Sequence, residues 1–126
     1  MSNVPWTWPD SGVTRIIDGD SFVAMLTRDV GFHGTLKFEV RLRLNRVNTP
    51  PLKTPEGKSA AAFFEALVRA SDAASPPLLI ETVKPYKYGD EWMAEVTLPD
   101  GRNVSDLMVS AGGAVYWDGT GPRPGG

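Results

Sequence analysis

The hydrophobic pattern predicts a mainly β chain with helices, an α+β fold. The expected form is a five-stranded OB-type Greek-key barrel, with a helix between strands three and four and a short helix after strand five. Three observations carry this reading. Apolar and charged residues alternate from Leu36 to Leu44, apolar residues recur at helical spacing from Ala60 to Val68, and two further apolar runs, "LLIETVK" and "WMAEVTL", follow the helix. A chain of 126 residues has room for one modest core and no second domain.

Taken in order, Val13 to Ile17 and Phe22 to Leu26 flank Asp18-Gly19-Asp20, and Asp-Gly between apolar runs is a hairpin signal. "TRDVGFHGT" has two glycines and mixed polarity, so a loop is expected there. The third strand, "LKFEVRLRLNRV", should bury Leu36, Phe38, Val40, Leu42 and Leu44 on one face. After two prolines, Thr54 is placed to cap a helix with Pro55 at its first position, and Ala60, Phe63, Phe64, Leu67 and Val68 form its apolar stripe. "DAASPP" ends it. Two more strands follow, the second closing at Pro99-Asp100-Gly101; Asn103 then caps a short helix that Gly112-Gly113 stops, and Ala114 to Tyr116 make a terminal strand.

The organisation expected is an extension at 1–12, the barrel domain at 13–117 and a Gly/Pro-rich tail at 118–126. "MSNVPWTWPDSG" has no apolar run, so neither a signal peptide nor a membrane helix is expected. With no cysteine in the chain, the expectation is an intracellular protein, of the cytoplasm or of a host's cytoplasm if phage-encoded. The net charge of −2 gives no global attraction to polyanions, so any such binding must be local.

Five segments carry a resemblance: "IIDGDSF", "VRLRLNRVNTPP", "TPEGKSAAAFFEAL", "YKYGDEWMAEV" and "NVSDLMVSAGGAV". In order and spacing, over about Val13 to Val115, they are similar to the staphylococcal nuclease (thermonuclease) family. The resemblance implies an OB barrel with a calcium-dependent phosphodiesterase site for DNA and RNA. It places the metal ligands at Asp20, Asn48 and the Thr49 carbonyl, with Asp18 beside Asp20 across the glycine. It places the strand arginine, a phosphate contact and charge stabiliser, at Arg43. Lys87 and Tyr88, with Lys84 nearby, match the segment that touches phosphate and base.

Three departures weaken the implied catalysis. Asn48 stands where the family has a second aspartate, so a calcium site keeps an oxygen but loses a charge. Pro51 stands where the family has the glutamate that orients or deprotonates water, and proline has no acceptor in its side chain. Asp90 or Glu91 replaces the second arginine, an acid where charge stabilisation needs a cation. Glu56 is the next acid after Pro51, but it lies in a helix's first turn, where acids suit the dipole.

Taken singly, each group also has a plain structural role. Asp18-Gly19-Asp20 alone is a hairpin turn, and Arg41 and Arg46 are expected at exposed positions. Lys84, Tyr86, Lys87 and Tyr88 interleave cations with aromatics, as either a phosphate-and-base surface or a charged loop. Trp92 is expected in packing. Trp6, Trp8 and Trp117 either cover an open barrel end or make a protein-partner surface. His33 is a loop residue without the second ligand a zinc site needs. The expectation is therefore a nuclease-like barrel that binds a nucleic-acid or small-nucleotide phosphate, with weak or no hydrolysis and at most a weak calcium site. The alternatives are an active divalent-metal nuclease and a non-catalytic protein-interaction module.

Overall fold

A computed structural model describes residues 6–32, 34–71, 78–86 and 90–117. Its elements are β1 (Trp6–Ile16), β2 (Ser21–Gly31), β3 (Gly34–Leu44), β4 (Val47–Asn48), α1 (Pro55–Ser71), β5 (Leu78–Pro85), β6 (Trp92–Thr97), α2 (Val104–Ser110) and β7 (Val115–Tyr116). Five of the strands close a barrel in the order β1-β2-β3-β6-β5, while β4 and β7 form a separate antiparallel pair. All neighbours in the barrel are antiparallel except β3 and β6, which run parallel over Leu42 to Leu44. Closure removes open sheet edges within the barrel itself. Among the described residues, no helix is long and apolar enough to cross a membrane.

The core fills from both helices and every wall of the barrel. Phe22, Leu42, Leu44, Ile80, Ala94 and Val96 from the strands meet Ala60, Phe64 and Val68 of α1 and Val104 and Met108 of α2. Phe22 and Phe64 pack edge to face with ring centroids 5.2 Å apart, which fixes α1 across the barrel. Trp8 and Trp117 are buried too, so both face inward.

Helix starts and stops follow from single residues. The Thr54 hydroxyl accepts from the Gly57 N–H at 3.0 Å and donates to the Pro51 carbonyl at 2.7 Å, tying the proline segment to the first turn of α1. Asn103 caps α2 by accepting from the Asp106 N–H at 3.0 Å. Gly112, at φ 81°, ends it in a conformation that favours glycine.

Three details differ from the sequence reading. The loop expected over Thr27 to Thr35 is mostly strand: β2 and β3 continue as a two-stranded ribbon to a tight turn, where Gly31 and Phe32 have positive φ and the Asp29 carboxylate accepts from the Gly31 N–H at 2.8 Å. Of the expected buried face of β3, only Leu42 and Leu44 are buried and Val40 is partly so; Leu36 and Phe38 are exposed. They lie on the ribbon, beyond the barrel, where alternation no longer marks inside from outside. Third, β1 begins at Trp6, within the stretch read as an extension, and pairs there with Thr82 of β5.

Gly57 shows how tightly the proline segment meets α1. A Cβ at this position would lie 1.9 Å from the Pro51 carbonyl oxygen and 2.8 Å from that of Pro50. Helix propensity favours alanine over glycine by about 1 kcal/mol, but contact with backbone reverses the sign here. Gly57→Ala should destabilise the protein by about 2 kcal/mol in urea unfolding; a stabilised variant would show that Pro50 and Pro51 do not rest on the helix.

Candidate functional site

The site grows from the turn between β1 and β2. Asp18 spends one carboxylate oxygen on this turn, accepting from the N–H groups of Asp20 at 3.0 Å and Ser21 at 2.8 Å. Its role as a turn residue, one of the readings left open by the sequence, is thus explicit. Gly19 lets the turn press on the next layer: a Cβ there would come within 2.8 Å of Thr49 Oγ1 and 2.9 Å of Ala60 Cβ. The consequence is an inward Asp20, only 1% exposed.

Arg43 meets it from β3, where it pairs with Ser21 on one side and Met93 on the other. One terminal nitrogen of the guanidinium donates to Asp20 Oδ2 and to Asn48 Oδ1, both at 2.8 Å. The Thr49 N–H donates to the same Asp20 oxygen at 3.0 Å. Four residues expected from the sequence, Asp20, Arg43, Asn48 and Thr49, are therefore gathered in one buried cluster. Tyr86 and Trp117 cover the guanidinium, with Arg43 Cζ 4.7 Å and 5.8 Å from their ring centroids. The two rings meet edge to face at 6.4 Å and share a small core with Met93. Arg43 is 4% exposed as a result.

Two buried polar atoms in this cluster, Arg43 Nε and Thr49 Oγ1, have no hydrogen-bond partner among the described residues. Native interiors rarely leave such groups unsatisfied. The oxygens expected to hold calcium are a different matter. Asp20 Oδ2 and Asn48 Oδ1 both address the guanidinium, and among the described residues no three carboxylate or imidazole groups come together around a metal position. The donor set fits the protein's own cation; calcium would compete with Arg43 for these oxygens.

The remaining candidates fall at several distances from the cluster. Lys84 on β5 pairs with Met93 on β6, which pairs with Arg43 on β3, so Lys84 and Arg43 stand at one level of the barrel, two strands apart. Lys87, Tyr88 and His33 lie outside the described residues. Pro51 and Glu56 are exposed, as is Asp90; Trp92, expected in packing, is also exposed at the start of β6.

Sequence reasoning missed Arg46, which was expected at an exposed position. Its guanidinium holds Glu95 through two nitrogens, at 2.7 and 3.1 Å, and also donates to Asp106 at 2.9 Å and Asn103 at 3.1 Å. Its backbone carbonyl accepts from the Trp117 N–H at 2.7 Å. Arg46 also adopts φ 70°, a left-handed turn between β3 and β4 that reverses the chain after Arg43. It thereby fixes where Asn48, Thr49 and Trp117 sit. The nearest signal in the sequence was the short spacing between the β3 apolar run and the prolines, which demanded a tight turn.

No family model matches the chain. It is similar to two proteins named uncharacterized endonuclease. Both are from Escherichia coli, one from O157:H7, and each is 29% identical over 106 residues, 84% of this chain. The chain spans about 60% of the length of these curated relatives.

Burial pushes the Asp20 carboxyl up to about 7, and the hydrogen bond and charge of Asp18 push the same way; Arg43 and the Thr49 N–H oppose them and are outweighed. Because the folded-state value lies above the unfolded one, the protonated form adds stability that is complete below about 4 and is lost as pH rises through about 7. In chelator, stability measured against Asp20→Asn should therefore fall from pH 5 to pH 8. The slope should not exceed about 1.4 kcal/mol per pH unit, the limit for one proton. A difference that is flat with pH, or that rises, would contradict a proton-holding Asp20.

Proposed function

We propose that this chain is a staphylococcal-nuclease-like domain that binds a nucleic-acid or nucleotide phosphate and has weak or no phosphodiesterase activity. The observation that carries this reading is the Asp20–Arg43–Asn48–Thr49 cluster, whose guanidinium keeps a buried Nε–H without a partner among the described residues. Guanidinium is the side chain best suited to a phosphate, which it can meet through parallel N–H donors. The name carried by the two relatives supports a nuclease-like origin, and the closed order β1-β2-β3-β6-β5 supports an OB-type barrel.

Catalysis needs more than an anchored phosphate. Pro51 offers no side-chain acceptor for a water proton, and Glu56 is an exposed acid in the first turn of α1. Arg43 already balances Asp20, so stabilising new negative charge would require it to leave a buried partner. Lys84, level with Arg43, together with Lys87 and Tyr88 supplies the remaining contacts in this reading. Asp90, exposed where a second cation would help, repels a phosphate. Calcium, if bound by Asp20, Asn48 and the Thr49 carbonyl, would supply positive charge beside the phosphate.

The experiment is cleavage of end-labelled single-stranded DNA by the purified protein, in calcium and in chelator, beside Asp20→Ala. The expected result is binding with little cutting, at least about a thousandfold below a site that retains its base and second arginine. Rapid, calcium-dependent cutting that vanishes in Asp20→Ala would sink the impaired-site reading and establish the active nuclease. Neither binding nor cutting would leave the cluster a purely structural one.

A further inference from the structure

The ribbon formed by β2 and β3 leaves both of its outer edges open among the described residues: that of β2 beyond Met25, and that of β3 before Leu42. β3 pairs with β2 from Gly34 to Arg43, but its other edge meets β6 only at Leu42, Arg43 and Leu44. Among the described residues, no strand pairs with that edge from Thr35 to Arg41. Such an edge presents a row of backbone donors and acceptors, a ready template for another strand. Natural edges are usually blunted by proline, lysine, a bulge or an inward charge. The stretch "TLKFEVR" has neither proline nor bulge, its lysine has Glu39 two residues away on the same face, and β2 and β3 pair without a shift in register from Ser21–Arg43 to Asp29–Thr35.

The side chains on this edge are exposed and complementary to themselves. Phe38 is 46% exposed and rests edge-on against Trp8 at 6.1 Å, and Leu36 is exposed on the same face. Lys37 and Glu39, on the opposite face, are exposed and take part in none of the ion pairs among the described residues. An antiparallel strand centred on Phe38 would set residue 37 of one copy opposite residue 39 of the other. It would likewise set Leu36 opposite Val40.

We propose that the outer edge of β3 is a self-association surface, joining two copies of this chain as antiparallel strands about a two-fold axis at Phe38. Two symmetry-related Lys37–Glu39 pairs fix the register, and Leu36, Phe38 and Val40 of both copies form one apolar face. A second copy is the occupant because the charge order, cation then anion about Phe38, is matched by its own reversal. This interface lies on the ribbon, away from Arg43, and does not depend on the nuclease-like reading.

The test is sedimentation of the wild-type chain, Lys37→Glu, Glu39→Lys and the double exchange Lys37→Glu/Glu39→Lys, with folding of each confirmed by circular dichroism. All three variants change exposed positions. Wild type should associate weakly, with a Kd of about 10–100 µM. Each single exchange places like charges opposite one another and should weaken association about tenfold or more. The double exchange should restore it. Mixing the two single variants should also restore it, because each then meets its opposite. Three results would overturn the proposal: a wild type that remains monomeric to about 1 mM, a dimer indifferent to the single exchanges, or single variants that neither the double exchange nor mixing rescues.

Discussion

The ion pair between Asp20 and Arg43 constrains the whole end of the barrel. Both groups are buried, so once Asp20 has given up its proton, at about pH 7 and above, neither can lose its partner without leaving a charge in a poorly solvating interior, a cost of about 3–5 kcal/mol. The pair joins the β1–β2 turn to the end of β3. Through Asn48 and the Thr49 N–H it also reaches the segment that leads into α1. These four residues hold one another before any ligand is considered. A phosphate ligand must share Arg43 with Asp20, and a metal ion must share Asp20 with Arg43. In the proposed reading, that sharing favours binding over cleavage.

Two supports keep the pair in place. Tyr86 and Trp117 close over the guanidinium and exclude water, strengthening the electrostatic contact beneath them. Arg46 holds the chain reversal after β3 by gripping Glu95 of β6 and Asp106 of α2, while its carbonyl takes the Trp117 N–H. The Tyr116 hydroxyl donates to the same Asp106 carboxylate at 2.9 Å. One partly exposed network thus positions both the floor of the site, at Asn48 and Thr49, and its aromatic cover.

Much of this was legible in the sequence because it is local. Asp-Gly marked the first hairpin, Thr54 and Asn103 marked two helix starts, and the Phe64 stripe marked the buried face of α1. Each depends on residues within a turn or two of one another. The grouping of Asp20 with Arg43, Asn48 and Thr49 came from resemblance, since no spacing rule brings residues 20 and 43 together. What could not be read was long-range. Arg46 finds its partners 49 to 60 residues away, and on a strand it looked like any solvated arginine. Leu36 and Phe38 alternate as core residues do, but periodicity reports a face and not where the barrel ends. The cover over Arg43 was hidden for the same reason: Tyr86 and Trp117 lie far apart in sequence and converge only after the barrel closes.

The most direct measurement of the paired guanidinium is nuclear magnetic resonance of the Arg43 side chain in the free protein. Held by Asp20 and Asn48 beneath two aromatic rings, its Nε–H should exchange slowly with water and its terminal nitrogens should rotate slowly. Both signatures should be lost in Asp20→Ala. A freely rotating, rapidly exchanging Arg43 in the wild-type chain would contradict the buried pair, and with it the reading that this site binds more readily than it cuts.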